Sequence, residues 1–484
     1  MENTRKEKSI TKNSLFYLLY NILNVIFPLV TGIYVAHVLL PGDIGEVDAA
    51  KNIAQYFVVF AFLGIPTYGL REIAKAKTNQ NKLNKVYSEL FIINAVSTFI
   101  FLTLYIIVIL STPAYSSHLA LYLVTGISIV LNALNNSWLY EGLEEFKYIS
   151  IRNLIFKIIC FVLLFALVRE QSDYYWYASI TVFGTAGNYI LNVIHSRKFV
   201  RFTIRGLSFK RHFKPIFYLV FVNLAIEIYS LVDVTMLKFL SDAENIAFYS
   251  YGSRIFKVVL QIINSFTIVV VPRLSSYFQE GRKNQFNELI SKTLKIIILL
   301  SLPTIIGIFF ISDSVITLVY GEEYYRASIV LKILSFNLFI SPVSYLLGSR
   351  VLLATGGENK MVIPVASGAV VNTLLNYFLI IRFDEYGASL ASVCGEIVVL
   401  LVYLVLSAKK YKLVKLGSFV LRVLIALFVM FIVLFKISST NLNSIICIVV
   451  SVIIAPFFYF GTLSVLKEET VTNMVNKVLK FNKK

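Results

Sequence analysis

Long apolar stretches separated by short polar segments make up almost the whole chain. Stretches that can cross about 30 Å of hydrocarbon at about 1.5 Å per residue fall at residues 14–39, 47–69, 87–111, 118–139, 149–168, 175–195, 215–240, 245–271, 290–312, 327–352, 361–381, 386–407, 416–436 and 443–466. This pattern predicts an all-α integral membrane protein with about fourteen transmembrane helices. The intervening segments are too short for a soluble catalytic domain, so we expect a transporter and not an enzyme.

The distribution of charge indicates the topology. The chain is 57% hydrophobic and 15% charged, which excludes a soluble globular protein of this length. Its net charge of +18 does not indicate nucleic-acid binding, because most Lys and Arg residues lie in polar segments on one side of the predicted spans. Both termini are therefore expected to be cytoplasmic, and the first stretch is expected to be an uncleaved span. The three cysteines are isolated within apolar stretches, so no zinc site, disulfide framework or other cofactor is expected.

A weak internal repeat relates the two halves of the chain. With a shift of 202 residues, Asn21 aligns with Asn223 and Arg71 aligns with Arg273. Repeats of this kind are common in transporters, whose substrate site lies between the repeated bundles. The predicted parts are an N-terminal six-helix bundle, a basic cytoplasmic linker, a second, pseudo-symmetric six-helix bundle, and two further helices with a cytoplasmic tail, at residues 1–196, 197–214, 215–408 and 409–484.

Three motifs connect the chain to a known family. They are Asp233-Val-Thr-Met-Leu-Lys-Phe-Leu followed by Ile246-Ala-Phe-Tyr-Ser-Tyr-Gly-Ser-Arg254, then Val271-Pro-Arg-Leu-Ser, and Trp138-Leu-Tyr-Glu-Gly142-Leu-Glu144 after span 4. Together they resemble the polysaccharide branch, the capsule and O-antigen repeat-unit flippases, of the multidrug/oligosaccharidyl-lipid/polysaccharide flippase superfamily. The resemblance covers nearly the whole chain in length and span count. It implies an alternating-access fold and a lipid-linked oligosaccharide substrate.

Span 8 carries the clearest set of candidate binding residues. Arg254, Lys257, Gln261 and Asn264 share one face of that helix. Charged groups inside a membrane are costly and usually face a cavity or a partner. Lysine and arginine suit a pyrophosphate that is leaving water.

Spans 1 and 2 offer a second polar stripe, formed by Asn21, Asn24 and Lys51. In the resembled family, spans 1, 2, 7 and 8 line the central cavity and their cations receive the lipid pyrophosphate, which implies this role for Lys51 and Arg254. Some members have a further cation in span 1, where this chain has only the two asparagines. A three-cation clamp formed by these spans is therefore not implied.

Acidic and amide residues in spans 7 and 11 are candidates for ion coupling. Resembling flippases can hold a cation among spans 7, 11 and 12, which nominates Asp233, Asn372 and Asn376; Glu227 is a second acid in span 7. The coupling ion could be Na⁺ or H⁺. The alternatives are structural: Asp233 would pair with Arg254 at equal depth, and the asparagines would join neighbouring helices.

These observations favour a flippase in the bacterial plasma membrane that moves undecaprenyl-pyrophosphate-linked oligosaccharide repeat units to the outer leaflet. Expected partners are membrane lipids and the glycosyltransferases and polymerase of the same pathway. The alternatives are a flippase for lipid II or another lipid-linked precursor, or a multidrug exporter of the same superfamily. A polymerase or ligase would need catalytic groups on a sizeable outer loop, which the chain does not have.

The predicted topology can be tested by cysteine labelling in intact cells. Cysteines at Arg205 and Lys283 should react only after the membrane is permeabilised, because these positions are expected in the cytoplasm. Cysteines at Asp43 and Glu323 should react from outside. Labelling of residues 197–214 from outside would contradict the two-bundle organisation.

Overall fold

The computed structural model describes residues 24, 26–268, 270–414, 416–440 and 443–472, and the regular secondary structure in this part of the chain is helical. The α-helices are α1 (Ile26–Ala36), α2 (Pro41–Phe62), α3 (Ile65–Ala76), α4 (Gln80–Ser111), α5 (Pro113–Ser116), α6 (Leu119–Asn132), α7 (Ser137–Gly142), α8 (Phe146–Leu167), α9 (Tyr174–Val182), α10 (Tyr189–Ser196), α11 (Lys210–Leu240), α12 (Ala243–Ile268), α13 (Val271–Gln279), α14 (Lys283–Tyr320), α15 (Arg326–Ser335), α16 (Asn337–Ser344), α17 (Val351–Ala354), α18 (Val362–Ser407), α19 (Gly417–Ser438) and α20 (Ser444–Val465). Spans 6 and 10 each contain a π-helical turn, at Phe183–Gly187 and Tyr345–Arg350.

The helix lengths agree with a polytopic membrane protein. Within the described residues, ten helical segments are long and apolar enough to cross a membrane, and one of them, Glu358–Lys410, holds two predicted spans. These two spans meet at Asp384, where the backbone leaves the helical region with φ 49° and ψ −128°. Spans 1, 6 and 7 correspond to α1, to α9 with α10, and to α11. The predicted all-α membrane fold is confirmed, and each of the fourteen spans has a helical counterpart.

Exposed apolar side chains cover the helices. Phe99, Val405 and Phe457 are among the most exposed large apolar residues. In water such a surface would cause aggregation, because soluble proteins rarely expose large contiguous apolar patches. In a bilayer the same side chains contact acyl chains, so the polar and small residues are left to the helix interfaces.

The described residues form two compact units, Met1–Ile246 and Ala247–Lys484. In the first unit, α2 packs against α4, α6, α9 and α11. In the second, α14 packs against α15, α16, α19 and α20. Helix α11, the first helix of the second predicted bundle, thus packs with the first unit. Compact packing and sequence repetition are different properties, so the predicted bundle boundary at residues 197–214 stays a prediction.

The tryptophan–glycine motif after span 4 packs two helices together. A Cβ atom added to Gly69 of α3 would lie 2.9 Å from the indole ring of Trp138 in α7. A Cβ atom added to Gly142 would lie 2.7 Å from the side chain of Ile73. Small residues allow this close approach. The motif therefore has a structural role in joining α3 to α7.

The segment that follows α10 is docked on the start of α4. The N–H of Arg201 donates to Asn84 Oδ1 (2.9 Å), and the N–H of Thr203 donates to Ser88 Oγ (2.9 Å). Val200 is buried in a hydrophobic cluster with residues of α3, α4 and α7. The basic linker is therefore an integral part of the first unit.

The same arrangement recurs in the second unit after α18. The N–H of Lys412 donates to Asn287 Oδ1 (2.9 Å), and the N–H of Val414 donates to Ser291 Oγ (3.0 Å). The two accepting residues follow their counterparts in α4 by 203 residues. This shared contact supports the internal repeat at a place where the main chain is not helical.

The two copies differ one residue further along. Glu89 in α4 accepts hydrogen bonds from the N–H of Ser208 (2.6 Å) and from Arg211, and its carboxylate lies 2.8 Å from His212 Nε2. The corresponding residue in α14 is Lys292. Among the described residues, a buried carboxylate thus holds the docked segment and the start of the next helix in the first copy, whereas the second copy has a lysine at that position.

Overpacking at Gly142 should destabilise the first unit. We expect Gly142→Ala to lower the free energy of unfolding by about 1–3 kcal/mol, because the new methyl group has no space beside Ile73. Gly307→Ala in α14 is the control: no atom lies within 4 Å of its added Cβ, and alanine favours a helix. Thermal unfolding of the purified protein in detergent measures both, and equal midpoints for the two variants would contradict the packing role.

Candidate functional site

A polar seam joins α2 to α11 in the first unit. Asn52 Nδ2 donates to the carbonyl oxygen of Leu231 (3.1 Å) and to Thr235 Oγ1 (2.7 Å). One turn further along α11, Lys238 Nζ donates to Glu46 Oε1 (2.6 Å). Because lipid supplies no hydrogen bonds, polar groups inside the membrane are satisfied by one another. The seam therefore fixes α11 against α2.

Both candidate ion-coupling acids of span 7 lie on α11. Asp233 is 5% exposed and lies two residues from each of the two α11 residues that bind Asn52, about 160° around the helix from them. Glu227 lies six residues earlier and is half-buried. Helix α11 thus carries an acid at a buried position. The pairing of Asp233 with Arg254 stays a prediction.

Lys51 of α2 has an acidic partner on its own helix. Its Nζ donates to Asp48 Oδ1 at 2.9 Å, and it lies 5.7 Å from the ring centroid of Tyr177 in α9. The Lys51 side chain remains 30% exposed, whereas that of Asp48 is 9% exposed. The cation is therefore partly neutralised and still accessible.

Two contacts, one turn apart along α8, join span 5 to span 1. Asn153 Nδ2 of α8 donates to Asn24 Oδ1 (3.1 Å), and Lys157 Nζ of the same helix lies 4.4 Å from the ring centroid of Phe27. The other span 1 candidate, Asn21, lies outside the described residues. Asn24 is thus held by an amide from α8.

In the second unit, the candidate residues of span 8 lie along helix α12. The Arg254 guanidinium lies 4.5 Å from the ring centroid of Tyr251, one turn earlier, and its side chain is half-buried. Lys257 and Gln261 are exposed. This helix therefore offers one shielded cation followed by an accessible cation and an accessible amide.

The asparagines of span 11 are brought together in α18. Both Asn372 and Asn376 are fully buried, and Asn376 Nδ2 donates to Asn372 Oδ1 at 3.3 Å. In span 12, Glu396 accepts a hydrogen bond from Ser341 Oγ (2.9 Å). Amide oxygens placed in this way serve helix packing and ion binding equally well. The ion-coupling role of the asparagines stays a prediction.

Sequence analysis missed the polar residues of α8, of which Arg152, Asn153 and Lys157 are all buried. The two cations are five residues apart, which places them about 140° apart around a helix. They form no single stripe, so helical periodicity does not single them out. The available signal was simpler: a lysine in the middle of an apolar stretch.

The candidate side chains can bind polar or charged groups through hydrogen bonds and ion pairs. No set of three or more His, Cys, Asp or Glu residues that could hold a metal ion occurs among the described residues. The candidate residues provide ammonium and guanidinium groups, carboxylates and amides within membrane-spanning helices. Such groups mark the paths of ions and substrates.

Comparison with known proteins places the chain among transporters. The model of a family described as polysaccharide biosynthesis protein matches residues 10–278, and that of MatE matches residues 219–378. A protein named "Putative O-antigen transporter" from Escherichia coli (strain K12) is 24% identical over 413 residues, which cover 82% of this chain and 96% of that protein. Lipid II flippase MurJ of Bacillus subtilis (strain 168) is 27% identical over 214 residues, 40% of this chain and 39% of MurJ.

Solved structures show the same fold. The inward closed conformation of lipid II flippase MurJ superposes with a TM-score of 0.73 at 18% identity, covering 95% of this chain and 100% of that one. An inward-facing multidrug resistance MATE family transporter gives a TM-score of 0.64 at 15% identity, covering 82% and 98%. These matches are to transporters and flippases, as predicted. The polysaccharide biosynthesis protein model matches more than half of the residues of this chain. The chain therefore belongs to the polysaccharide biosynthesis protein family.

Proposed function

We propose that this protein is a flippase that moves undecaprenyl-pyrophosphate-linked oligosaccharide repeat units from the cytoplasmic to the outer leaflet of the bacterial plasma membrane. The product would supply a surface polysaccharide such as capsule, O-antigen or exopolysaccharide. No covalent bond changes: sugar and pyrophosphate cross in a polar cavity while the prenyl tail stays in lipid. Family membership and similarity to an O-antigen transporter over most of both chains support this proposal.

One observation carries the proposal: charged and amide side chains lie inside the apolar helices. Lys51 lies in α2, Asp233 in α11 and Asn372 in α18. A charged residue at the centre of a membrane helix costs about 2.5–3.5 kcal/mol on insertion scales. Apolar residues would serve packing at least as well, so these groups indicate a path for a charged substrate or ion.

In the proposed cycle the cations bind the pyrophosphate. Lys51 exchanges its hydrogen bond with Asp48 for a phosphate oxygen, and Arg254 provides a second positive charge. A fixed cation compensates an anion that is leaving water. Four further residues contact the polar head along the path: Lys257, Gln261, Asn21 and Asn24.

Two other transported substrates compete with this one. A lipid II-type precursor is the nearest alternative, because the fold matches that of MurJ over nearly the whole chain. Multidrug exporters of the resembled superfamily would require an acid in span 1, and residues 14–39 contain none. The lack of an acid in span 1 therefore favours a lipid-linked saccharide over a drug as the substrate.

Energy coupling is a further part of the proposal. Asp233 and Glu227 on α11 and the pair Asn372 and Asn376 on α18 offer oxygen ligands for Na⁺, and either carboxylate can instead carry a proton. A buried acid couples transport to a gradient only if its affinity for the ion differs between inward-open and outward-open states. Glycosyltransferases that build the substrate and a polymerase that consumes it are the proposed pathway partners.

Removing either cavity cation should abolish transport. We expect Lys51→Ala and Arg254→Ala to eliminate surface polysaccharide in a strain that lacks the wild-type gene, with normal amounts of protein in the membrane. Arg254→Lys should keep partial function, because it retains a point charge without the guanidinium geometry. Immunoblots of polysaccharide and of the membrane protein measure both quantities.

The matched control is Lys75→Ala, which removes an exposed lysine paired with Glu72 at 2.8 Å and should leave polysaccharide unchanged. A structural ion pair makes a different prediction. In that case the double variant Asp233→Asn with Arg254→Gln would recover the function that each single change removes, and such recovery would exclude a substrate role for Arg254.

Coupling can be measured in proteoliposomes with Na⁺ and H⁺ gradients imposed separately. We expect Asp233→Asn to slow transport without preventing substrate binding, and Asn372→Ala or Asn376→Ala to weaken any dependence on Na⁺. A membrane potential contributes about 2.3 kcal/mol per charge per 100 mV. Equal rates with both gradients collapsed would instead assign Asp233 a structural role, with consumption of the product outside drawing transport forward.

A further inference from the structure

Lys157 is a buried lysine at the middle of α8, a helix of 22 residues that spans the membrane. Its side chain belongs to the buried face of that helix, together with Asn153 and Cys160, and it is 7% exposed. A charged residue at this depth is costly and needs an explanation. None of the roles assigned above uses it.

The ammonium of Lys157 differs from that of other lysines in its described surroundings. Among the described residues no carboxylate lies within 4 Å of its Nζ, which lies over the ring of Phe27, 4.4 Å from the centroid. Other lysines of the first unit differ in this respect: Lys238 binds Glu46 at 2.6 Å and Lys51 binds Asp48 at 2.9 Å. Within the described part of the chain, the Lys157 ammonium therefore has a ring and no carboxylate beside it.

A ring on one side does not satisfy an ammonium group. Lysine has three N–H donors, and a cation–π contact supplies attraction without accepting them as an oxygen would. The contact contributes about 2 kcal/mol when desolvated, and an anion that accepts several charge-assisted hydrogen bonds can displace the ring. An oxygen-rich anion can accept hydrogen bonds from the three N–H donors and can also displace the ring.

The surroundings of Lys157 bring its charge to span 1. Phe27 follows Asn24 by one turn, and Asn24 accepts a hydrogen bond from Asn153, which precedes Lys157 by one turn. The described part of span 1, residues 24 and 26–36, contains no lysine or arginine. Helix α8 thus supplies a positive charge, flanked by two amides, to a span that has none of its own.

Span 6, which also packs against α8, is irregular near Lys157. Span 6 contains the π-helical turn Phe183–Gly187, and Gly184 lies so close that an added Cβ atom would be 2.9 Å from Cys160 Sγ. Cys160 follows Lys157 by one turn. π-Helical turns are common at functional sites, and this one shapes the helix that packs beside the lysine.

We propose that Lys157 is an anion-binding residue that accepts a phosphate of the lipid carrier in exchange for the ring of Phe27. The inference rests on the proposed flippase function and extends it to span 5. Phosphate is the anion that every lipid-linked saccharide carries at the junction of tail and sugar, whereas acidic sugars vary. A compact point charge such as lysine suits phosphate.

Binding of undecaprenyl pyrophosphate without sugar to the full-length protein in nanodiscs tests this assignment. We expect Lys157→Met, which keeps the length of the side chain and removes its charge, to raise the dissociation constant at least about tenfold, as for the loss of one charge-assisted hydrogen bond. Lys157→Arg should stay within about threefold of the wild type, because the charge is retained.

Two further variants separate anion binding from packing. Lys295→Met is the matched control, because Lys295 in α14 also lies over a ring, 5.3 Å from the centroid of Phe419, and is half-buried; its binding should match the wild type. Phe27→Leu removes the ring that competes with phosphate and should tighten binding by about two- to tenfold. This variant tests the proposal even if Lys157→Met does not fold.

Wild-type affinity in Lys157→Met, or weaker binding in Phe27→Leu, would overturn the role of Lys157 while leaving the flippase function intact. Dependence on Lys157 that appears only with a carrier bearing an acidic sugar would overturn the choice of phosphate. Failure of the wild-type protein to bind undecaprenyl pyrophosphate at all would overturn both this inference and the proposed substrate.

Discussion

The absence of water in the bilayer interior is the constraint on which the structure depends. Every polar group that enters must find its partner within the protein. Many serine and threonine hydroxyl groups do so within their own helix: Thr31 Oγ1 donates to the carbonyl oxygen of Phe27 (2.9 Å), and Thr103 Oγ1 donates to that of Phe99 (2.9 Å). Asparagine is too rich in donors and acceptors for this, so Asn52 reaches another helix. Amides and charged groups therefore connect helices, together with tyrosine hydroxyls such as those of Tyr105 and Tyr140.

The docked segments after α10 and α18 show how the same constraint operates at the membrane boundary. There the chain stops being helical, and its N–H groups require acceptors. In both units an asparagine and a serine, spaced by one turn, accept two of them. Glu89 adds a carboxylate in the first unit only. The same unpaired N–H groups are thus satisfied by the same residue types in both units, whereas the position after the serine differs, with Glu89 in α4 and Lys292 in α14.

Sequence patterns predicted the fold well because span length and charge bias are one-dimensional properties. Hydropathy located the helices, and the motif around Trp138 pointed to the family. The role of that motif in packing required the structure, because Gly69 and Trp138 are far apart in sequence. The candidate binding residues could be nominated only in part from the sequence. Arg254 and Lys257 share a helical face, so periodicity nominated them as candidates. Lys157 faces Phe27 of another span, and periodicity could not single it out.

The cations of the first unit differ in how firmly they are held, and this difference bears on transport. Lys238 has a carboxylate at 2.6 Å with both side chains largely buried, an arrangement suited to a permanent contact. Lys51 shares an acid while remaining partly exposed, and Lys157 has a ring. A ligand shifts a conformational equilibrium only through its different affinity for the two states. A transporter must also release what it binds, so its binding groups need resting partners weak enough to exchange. A strongly paired cation such as Lys238 does not meet this requirement, whereas the two cations of this unit that are proposed to bind the substrate, Lys51 and Lys157, have partners that can be exchanged.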